Sequence, residues 1–562
     1  MSGLLTENLP LLAGAPNGIP KLRELILELA VRGRLLSQDS GDEPAHVLVD
    51  EIRRRSRELI RAGELKKDAC GADVQPGEAP FVLPAGWGWG RIADSGQYIN
   101  GLAFKPQDWG IEGKPIIRIQ NLSGRNLQFN RTNRLVGDQY VVRPGDILVS
   151  WSATLDAYYW DSQEEGVLNQ HIFRVIPSDL MIPPYLYWVL KASIGEMEAG
   201  DHAHGLVMTH INRGPFLAHV IGVPPKPEQR RIVEKIDELM TLCDRLEKQQ
   251  ADAASAHGQL VSALLGSLTR ADDAADFAAN WDRISAHFHT LFTTESSIDA
   301  LERALLQLAV MGRLLPQDPT DESPFKILNR IQDDRQHLIK VGGTKFDKVL
   351  PTGSGPDKPF EVPLSWEWAS LGDLATYGPS NGLSPKPASG ETDCRCLTLS
   401  ATTRGTFNGD HFKFVDVESD VAQKYSLCTG DLLIQRANSL EYVGVSAIYD
   451  GEDGCYIYPD LIMRIKISSQ VSINFVHAFL SSESGRSYFR RNATGTQGNM
   501  PKINQRTVVN APVPIPPFHE QLRIVAKVDE LIAMCTKVKS CLAQARHLNE
   551  QLTSTLVERA LA

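Results

Sequence analysis

The sequence predicts an α+β protein. Two globular, mixed α/β inserts are separated by long antiparallel, coiled-coil-like helices in a pseudo-twofold tandem repeat. Three observations predict this fold. One unit of helix, insert and long helix occurs twice, the closing helix of each unit has a heptad pattern, and the inserts alternate short β-rich runs with turn signals. At 562 residues the chain is too long for one core, and its 42% hydrophobic and 22% charged content is typical of globular proteins.

Both copies of the repeat open with the same helical sequence. Residues 22–36 (LRELILELAVRGRLL) match residues 301–315 (LERALLQLAVMGRLL), and Gln-Asp follows each at the same distance. A second shared pattern, Phe-x-x-Pro-x-x-Trp-x-Trp, begins at Phe81 and at Phe360. Chance cannot produce this register, and two long copies exclude a solenoid, which needs three or more short repeats.

Each copy closes with a long helix that follows a Pro-Pro pair and the pattern Glu-Gln-x-Arg-Ile-Val. Apolar residues then recur at spacings of four and three, at Ile232, Ile236, Leu239, Cys243 and Leu246 and at Ile524, Val528, Leu531, Cys535 and Val538. This heptad pattern is typical of helices that pack along their length. At 1.5 Å per residue, the helix from 228 to 266 would be about 58 Å long. An ordinary bundle core explains part of the pattern, but two equivalent seams can also pair with each other as a spacer.

The inserts, roughly residues 82–222 and 361–514, share a frame. Each has Asn-Gly-Leu followed by Lys-Pro, then a Gly-Asp turn before an apolar strand, and ends near Ile-Asn. A helix over 184–198 makes the first insert α+β. The Gly/Pro/Lys-rich stretches 66–80 and 342–359 are interpreted as linkers. Most other insert residues differ between the copies, and the second insert is 13 residues longer.

Composition argues against several classes of protein. No apolar run approaches the roughly 20 residues that span a bilayer, and the first residues lack a secretion signal, so we expect a cytoplasmic protein. The eight cysteines form no disulfide framework, and Cys394 and Cys396 stand too close for a zinc site. The net charge of −10 argues mildly against a nucleic-acid partner, although a binding face needs only local basicity.

No reactive constellation indicates an enzyme. The chain has no phosphate-binding Gly-x-x-x-x-Gly-Lys-Ser/Thr loop, no His-Glu-x-x-His and no Gly-x-Ser-x-Gly. The Pro-Pro-aromatic runs at 183–185 and 516–518 follow isoleucine, whereas amino-methyltransferases have a polar residue there. His202 and His204 could be metal ligands, but a solvated or phosphate-facing role is the better interpretation in a polar loop.

Local positive charge points instead to nucleic acid. No acidic residue occurs between 113 and 137 or from 484 to 519, and both stretches mix arginine and lysine with asparagine and glutamine. Basic side chains neutralise phosphates, and Arg, Asn and Gln can bind base edges through two hydrogen bonds. The acids concentrate elsewhere, as at 161–165 and 450–453.

The predicted DNA-binding residues are Lys105, Arg118, Gln120, Asn121, Arg125, Arg131 and Arg134 in the first insert, and Lys386, Arg404, Gln435, Arg436, Asn438, Arg491, Gln497 and Lys502 in the second. Arg118, Gln120, Asn121, Arg125, Gln435, Arg436, Asn438 and Gln497 are the candidate base readers. Arg131, Arg134, Arg491 and Lys502 are candidate phosphate contacts. No catalytic or metal-binding residue is predicted.

The chain resembles the specificity subunit of type I restriction–modification systems, in one of its longer classes. The resemblance covers nearly the whole length. It is carried by Leu-Ala-Val-x-Gly-Arg-Leu-Leu with Gln-Asp, by Pro-x-x-Trp-x-Trp, and by Pro-Pro-x-x-Glu-Gln-x-Arg-Ile-Val, each present twice in the family's order. It implies that the inserts are target-recognition domains, each reading one half of a split, asymmetric DNA site. It also implies that the helices hold the domains apart and dock two modification subunits.

The predicted divisions are 1–80 (N-terminal helical region and linker), 81–223 (target-recognition domain 1), 224–359 (central helical region), 360–515 (target-recognition domain 2) and 516–562 (C-terminal long helix). The resemblance further implies two restriction subunits. S-adenosylmethionine, ATP and magnesium are expected in the partner subunits, and no cofactor is expected on this chain.

The duplication predicts how the site is divided. Readers related by a pseudo-twofold axis meet the duplex in opposite senses, so half-sites on one face of B-DNA are expected roughly 34 Å apart. Because the inserts differ, we expect a non-palindromic site. The alternative is a non-catalytic protein scaffold whose inserts bind peptides or partner proteins.

Overall fold

The computed structural model describes residues 12–63, 70–199, 211–271, 274–340, 358–495 and 500–561. These form two compact units, Met1–Ala253 with Ala545–Ala562, and Ala254–Gln544. Each unit contains one complete insert with the helical segments around it. Both long helices have 44 residues, and each begins in one unit and ends in the other.

The helix that opens each copy and the long helix that closes it lie where the sequence predicts them, whereas most of the shorter helices were not predicted. Through the first copy the helices are α1 Gly18–Val31, α2 Ala45–Arg61, α3 Ile119–Leu122, α4 Pro183–Ala199, α5 Arg213–Ala218 and the long α6 Lys226–Thr269. In the second copy they are α7 Ala274–Ala286, α8 Phe288–Leu291, α9 Glu295–Val310, α10 Pro324–Lys340, α11 Ser419–Tyr425, α12 Ile473–Ser481, α13 Glu483–Arg491, α14 Gln505–Val509 and the long α15 Phe518–Leu561.

The strands of the first insert are β1 Gly88–Arg91, β2 Gly96–Asn100, β3 Lys114–Ile117, β4 Arg131–Thr132, β5 Val141–Val142, β6 Ile147–Ser150, β7 Asp156–Tyr159, β8 Gly166–Leu168, β9 Ile172–Pro177 and β10 Val220–Val223. Those of the second are β11 Glu367–Ser370, β12 Ala375–Asn381, β13 Cys394–Leu397, β14 Phe412–Val415, β15 Leu432–Gln435, β16 Ser446–Ile448, β17 Tyr456–Ile457, β18 Ile462–Ile467 and β19 Pro512–Ile515.

The two inserts have the same strand order in their larger sheets, whereas their smaller sheets differ by one strand. In the first, β1 pairs with β10 where the chain enters and leaves, and the sheets run β2-β9-β6-β7 and β4-β3-β8-β5. In the second, β11 pairs with β19, and the sheets run β12-β18-β15-β16 and β14-β13-β17. The larger sheets therefore correspond strand for strand, although few side chains match. The shared frame that the sequence predicts for the two inserts is therefore this common sheet arrangement, which occurs once in each insert.

The heptad residues of each long helix are buried against the short helix of the same copy. Ile232, Ile236 and Cys243 of α6 are in one core with Leu22 and Leu25 of α1. In the second unit, Cys535 of α15 shares a core with residues 298, 301 and 305 of α9. The sequence allowed two interpretations of this seam, an ordinary bundle core and pairing with the other long helix, and the second core also contains Val261 and Leu265 of α6 with Cys535. Burying one such side chain contributes about 1.5–3 kcal/mol.

The arginine of Leu-Ala-Val-x-Gly-Arg-Leu-Leu caps a long helix. Arg34 donates a hydrogen bond to the carbonyl of Leu561 at the end of α15. At the matching position, Arg313 donates to the carbonyls of Thr269 (3.2 Å) and Ala271 (2.8 Å) at the end of α6. The last carbonyls of a helix have no partner within it and carry partial negative charge, which a guanidinium satisfies. Each copy therefore caps the long helix of the other copy.

The three repeated motifs meet at a buried glutamate, which we call the carboxylate junction (Glu228 in the first copy, Glu520 in the second). Glu228 is only 1% exposed and accepts hydrogen bonds from the Trp87 indole (3.0 Å) and the Gln38 amide (3.2 Å). Glu520 is equally buried and accepts from Gln317 at 3.5 Å. Burial raises the pKa of both carboxyl groups.

The glutamine beside each junction fastens the insert to the long helix. The Gln229 amide accepts from the backbone N–H of Ile182 (2.9 Å) and donates to the Leu180 carbonyl (3.0 Å), just before α4. Gln521 accepts from the Ser472 N–H at 2.8 Å, just before α12. The Pro-Pro-x-x-Glu-Gln motif therefore joins the insert, the long helix and the entry segment at one point.

A glycine at the end of α1 shows how closely these motifs pack. Gly33 has a φ of +68°, and a Cβ built there would lie 2.5 Å from Cγ of Pro84 and 2.9 Å from the Trp87 ring. We predict that Gly33→Ala lowers the unfolding free energy by more than the about 1–2 kcal/mol that a left-handed backbone costs an L residue, because two rigid rings must also move. Thermal unfolding followed by circular dichroism measures the loss.

Gly63→Ala is the matched control. Gly63 also ends a helix, with a φ of +78°, and a Cβ there meets no other described atom within 4 Å. The Gly63→Ala variant should lose only the part of the unfolding free energy that comes from the left-handed backbone conformation. Equal losses in the two variants would contradict the close packing at Gly33.

The junction predicts a dependence of stability on pH. Because burial raises the pKa of Glu228, the folded state holds the proton more tightly than the unfolded chain, and stability falls as pH rises from about 4.5 through the raised pKa. Glu228→Gln removes this titration but also one hydrogen-bond acceptor, at about 1 kcal/mol. The stability deficit of the variant should therefore shrink between pH 4.5 and 7 in urea unfolding. A deficit that grows with pH, or a similar change in the exposed control Glu238→Gln, would refute the prediction.

Candidate nucleic-acid interface

In each insert, neighbouring strands of the larger sheet end side by side. We call the place where they end the sheet end. In the first insert, β2 and β6 finish where β9 begins, which brings together Asn100, Trp151 and His171. In the second, β12 and β15 finish where β18 begins, which places Arg436 where the first insert has Trp151. The frame is the same, but the side chains it presents differ.

The motifs shared by the inserts build this frame. The glycine of each Asn-Gly-Leu crosses another strand closely, since a Cβ on Gly101 or Gly382 would lie 2.1 Å from a backbone carbonyl oxygen. The isoleucine of each Ile-Asn donates its N–H to the sheet end, from Ile211 to the Trp151 carbonyl (3.0 Å) and from Ile503 to the Arg436 carbonyl (2.9 Å). These motifs fix the backbone and leave the side chains free to vary.

The aspartate of each Gly-Asp turn is also structural. Asp146 pairs with Arg174 on β9 at 2.7 Å and accepts from the Arg143 N–H at 2.7 Å. Asp431 stands 3.8 Å from Arg464 on β18 and accepts from a backbone N–H at 2.9 Å. Both acids therefore tie β6 or β15 to its neighbouring strand.

Several predicted residues of the first insert lie exposed. Lys105 follows β2, and Arg125 lies in the loop after α3. The half-buried Arg118 has its guanidinium carbon 5.2 Å from the ring centre of the exposed Trp109. Gln120 is half-buried on α3. These four side chains stay candidates for contact with DNA.

Asn121 has a structural role. It accepts from the Arg118 N–H at 3.1 Å, and its amide donates to the carbonyls of Asn126 (3.0 Å) and Gln128 (2.9 Å). Both amide hydrogens are therefore used within the loop, and the geometry corrects its assignment as a base reader.

The basic run of the first insert is partly neutralised in three dimensions. Arg131 forms a two-point ion pair with Glu164 (2.6 and 2.9 Å), and Lys114 pairs with Glu165 at 2.6 Å. Arg134 stands 3.6 Å from Asp108. The acid-free stretch in sequence thus folds against the acidic stretch 161–165. Arg131 lowers the pKa of Glu164, so the carboxylate stays charged and competes with phosphate for Arg131.

In the second insert the predicted residues divide into groups. Lys386, Arg404 and Lys502 are exposed, and Arg436 and Asn438 lie half-buried at the sheet end. Arg491 instead lines a cleft of about 520 Å³ against α9, together with Arg303 and Gln307. Gln497, like His202 and His204 of the first insert, lies outside the described residues.

The structure contradicts the prediction that Gln435 reads a base. Its side chain is 0% exposed, and its amide donates at 3.0 Å to the Leu399 carbonyl and to the hydroxyls of Thr402 and Thr403. Its oxygen accepts from the Asn438 amide at 2.8 Å. Gln435 therefore joins the loop after β13 to the sheet end and cannot reach a base.

The structure adds residues that the sequence did not single out. Trp151 donates from its indole to the Asn100 amide oxygen at 3.2 Å, and its ring centre lies 5.2 Å from that of His171. Gln170 lies 3.0 Å from the same imidazole. Aligning the two Gly-Asp turns would have placed Trp151 opposite Arg436, but nothing in the sequence shows that strands β2, β6 and β9 meet there.

The described residues contain neither a cluster of metal ligands nor a helix that could span a membrane. No group of three or more His, Cys, Asp or Glu side chains is placed to hold a metal ion. Within the same residues, no helix has the length and apolar content needed to cross a membrane.

Known proteins are similar in sequence to this chain. The family model for the type I restriction modification DNA specificity domain matches residues 84–254. The chain is 32% identical to the specificity subunit of the type I restriction enzyme EcoEI of Escherichia coli, over 97% of this chain and 94% of that protein. It is 33% identical to the EcoAI specificity subunit of E. coli with the same coverage. A chain from a solved structure on the assembly of a type I R-M system aligns with a TM-score of 0.49 and 14% identity, over 86% of this chain and 99% of that one.

These relatives define the class first: a DNA specificity protein, which recognises sequence and leaves catalysis to other subunits. The chain belongs to the family of type I restriction enzyme specificity subunits. The likeness to EcoEI and EcoAI runs through both inserts and both long helices, so it covers the whole repeat.

The buried position of Gln435 gives a prediction. Gln435→Ala removes the donor to the Thr402 and Thr403 hydroxyls and the acceptor of the Asn438 amide, and we expect a loss of about 1–3 kcal/mol in unfolding free energy. Gln120→Ala is the matched control, because no described residue forms a hydrogen bond with that side chain. Thermal unfolding should separate the two variants. If Gln435→Ala kept full stability and lost DNA affinity, its structural role would be wrong.

Proposed function

We propose that each insert reads one half of a bipartite, asymmetric DNA site. The observation that carries this proposal is the contrast at the sheet ends. One strand order and one set of backbone motifs present Trp151 in the first insert and Arg436 in the second. Two readers with the same frame and different side chains recognise two different short sequences, so their combined site is not palindromic.

The partners follow from the family. We propose that the long helices hold the two readers apart and dock two modification subunits, and that two restriction subunits join the complex. S-adenosylmethionine, ATP and magnesium would be bound by those partners. The chain contributes sequence recognition, and the partners contribute methyl transfer, translocation and cleavage.

Exposed cations support contact with the DNA backbone. Lys105 and Lys386 occupy matching positions just after β2 and β12, and no described acidic side chain pairs with either. Each phosphate contact makes the affinity more dependent on salt, with a slope of about −0.9 per contact in the logarithm of the association constant against log salt. A scaffold that binds peptides through the same inserts need not show this dependence.

The test is the salt dependence of duplex affinity, measured with the chain in complex with its modification subunits. The double variant Lys105→Ala, Lys386→Ala should reduce the slope by about 2, whereas Arg131→Ala should change it less because Glu164 already occupies that guanidinium. A salt-independent affinity would favour the protein scaffold.

Mapping methylated adenines in a host that carries the complete system tests the division of the site. Two short motifs separated by a fixed gap are expected. One continuous or palindromic sequence would overturn the proposal.

A further inference from the structure

We infer that the sheet end is where each insert discriminates bases. Arg436 selects a guanine in one half-site, and the Trp151–Gln170 pair selects an A·T pair in the other. The inference rests on the proposed function, since it assumes that both inserts read DNA. The inference goes further because it names, at the same place in both inserts, the side chains that contact a base and the base pair that they prefer.

Arg436 is held by its backbone and not by an acid. Its N–H donates to the Leu461 carbonyl at 2.7 Å, and its own carbonyl accepts from Ile503. Its guanidinium has only a long contact of 3.4 Å to the Asp460 carbonyl, and the Asp460 carboxylate accepts from Ser384 instead. No described carboxylate pairs with Arg436, so most of its donors stay available.

Two other arginines of the second insert have partners within the fold. Arg464 is buried between two tyrosine rings and beside Asp431, and Arg490 pairs with Glu483 at 3.5 Å. A guanidinium with free donors, on a fixed backbone, matches the two acceptors O6 and N7 of guanine in the major groove.

The first insert presents uncharged groups at the same place. The Trp151 indole is oriented by Asn100, and the Gln170 amide contacts the His171 imidazole, whose Nδ1 has no partner among the described residues. A glutamine amide matches adenine N6 and N7, and an aromatic ring can contact the thymine methyl group. This chemistry favours an A·T pair.

The backbone beside Trp151 supports a functional role. Ala153, two residues further on, has a φ of +64° and is exposed, although it is not glycine. An L residue rarely adopts this conformation, and such outliers cluster at binding and catalytic sites. The aligned position in the second insert is Asn438, which donates to Gln435.

Cations flank both sheet ends. Lys502 pairs through its backbone with Ala437, directly after Arg436, and Lys386 follows β12. In the first insert Lys105 follows β2, and Arg134 donates to the Ala103 carbonyl at 3.1 Å. Basic side chains on the flanks can contact phosphates while the sheet end meets the base edges.

The experiment uses the complete complex in a host, with genome-wide mapping of methylated adenines. Arg436→Ala should relax one guanine position in one half-site, with a loss of discrimination of about 10- to 100-fold, and leave the other half-site unchanged. Arg436→Lys, which keeps the charge but not the two-point geometry, should also lose discrimination. Trp151→Ala with Gln170→Ala should relax an A·T position in the opposite half-site.

Lys386→Ala is the control, because loss of a phosphate contact should weaken methylation at all sites without relaxing any position. The inference is overturned if Arg436→Lys, purified and folded, keeps every position as specific as the wild type, or if it relaxes a position that is not guanine. Failure of the proposed function is distinguishable, since the wild-type complex itself would then methylate a continuous or palindromic sequence.

Discussion

The carboxylate junction is the constraint on which the rest of each unit depends. A buried glutamate is costly unless donors surround it, and Glu228 receives them from Trp87 at the entry of the insert and from Gln38 after α1. The adjacent Gln229 holds the turn before α4. One point on the long helix therefore fixes where the chain enters the insert and how the insert sits on the helices. The second copy repeats the arrangement around Glu520.

This arrangement separates stability from recognition. The residues that repeat between the copies are buried, cap helices or hold strands together, as Asp146 does with Arg174 and Asp431 with Arg464. The residues that differ lie at the sheet end, where backbone hydrogen bonds set the geometry whatever the side chain. A reader can therefore change its target without weakening its core.

Electrostatics shows why charge along a chain is a poor guide to charge on a surface. The acid-free stretch 113–137 appears basic, but Glu164 and Glu165 fold back onto Arg131 and Lys114. The cations left exposed are fewer, and one of them, Lys502, pairs through its backbone with Ala437 at the sheet end. Long-range pairing of β3 with β4 and β8 brings these charges together, and no local pattern reports it.

The sequence by itself determined the duplication, the long helices, the shared frame of the inserts and the family. Repeats and heptads are patterns of residue spacing along the chain, so they can be recognised without knowing the tertiary contacts. Only the tertiary structure decided which polar residues face solvent. Gln435 and Asn121 have the right chemistry for reading bases, yet their hydrogen bonds are used inside the fold. Trp151 lies at the sheet end, and no local pattern in the sequence indicates it. Contacts between strands far apart in sequence fix both outcomes, because hydrogen-bond partners depend on where the strands meet.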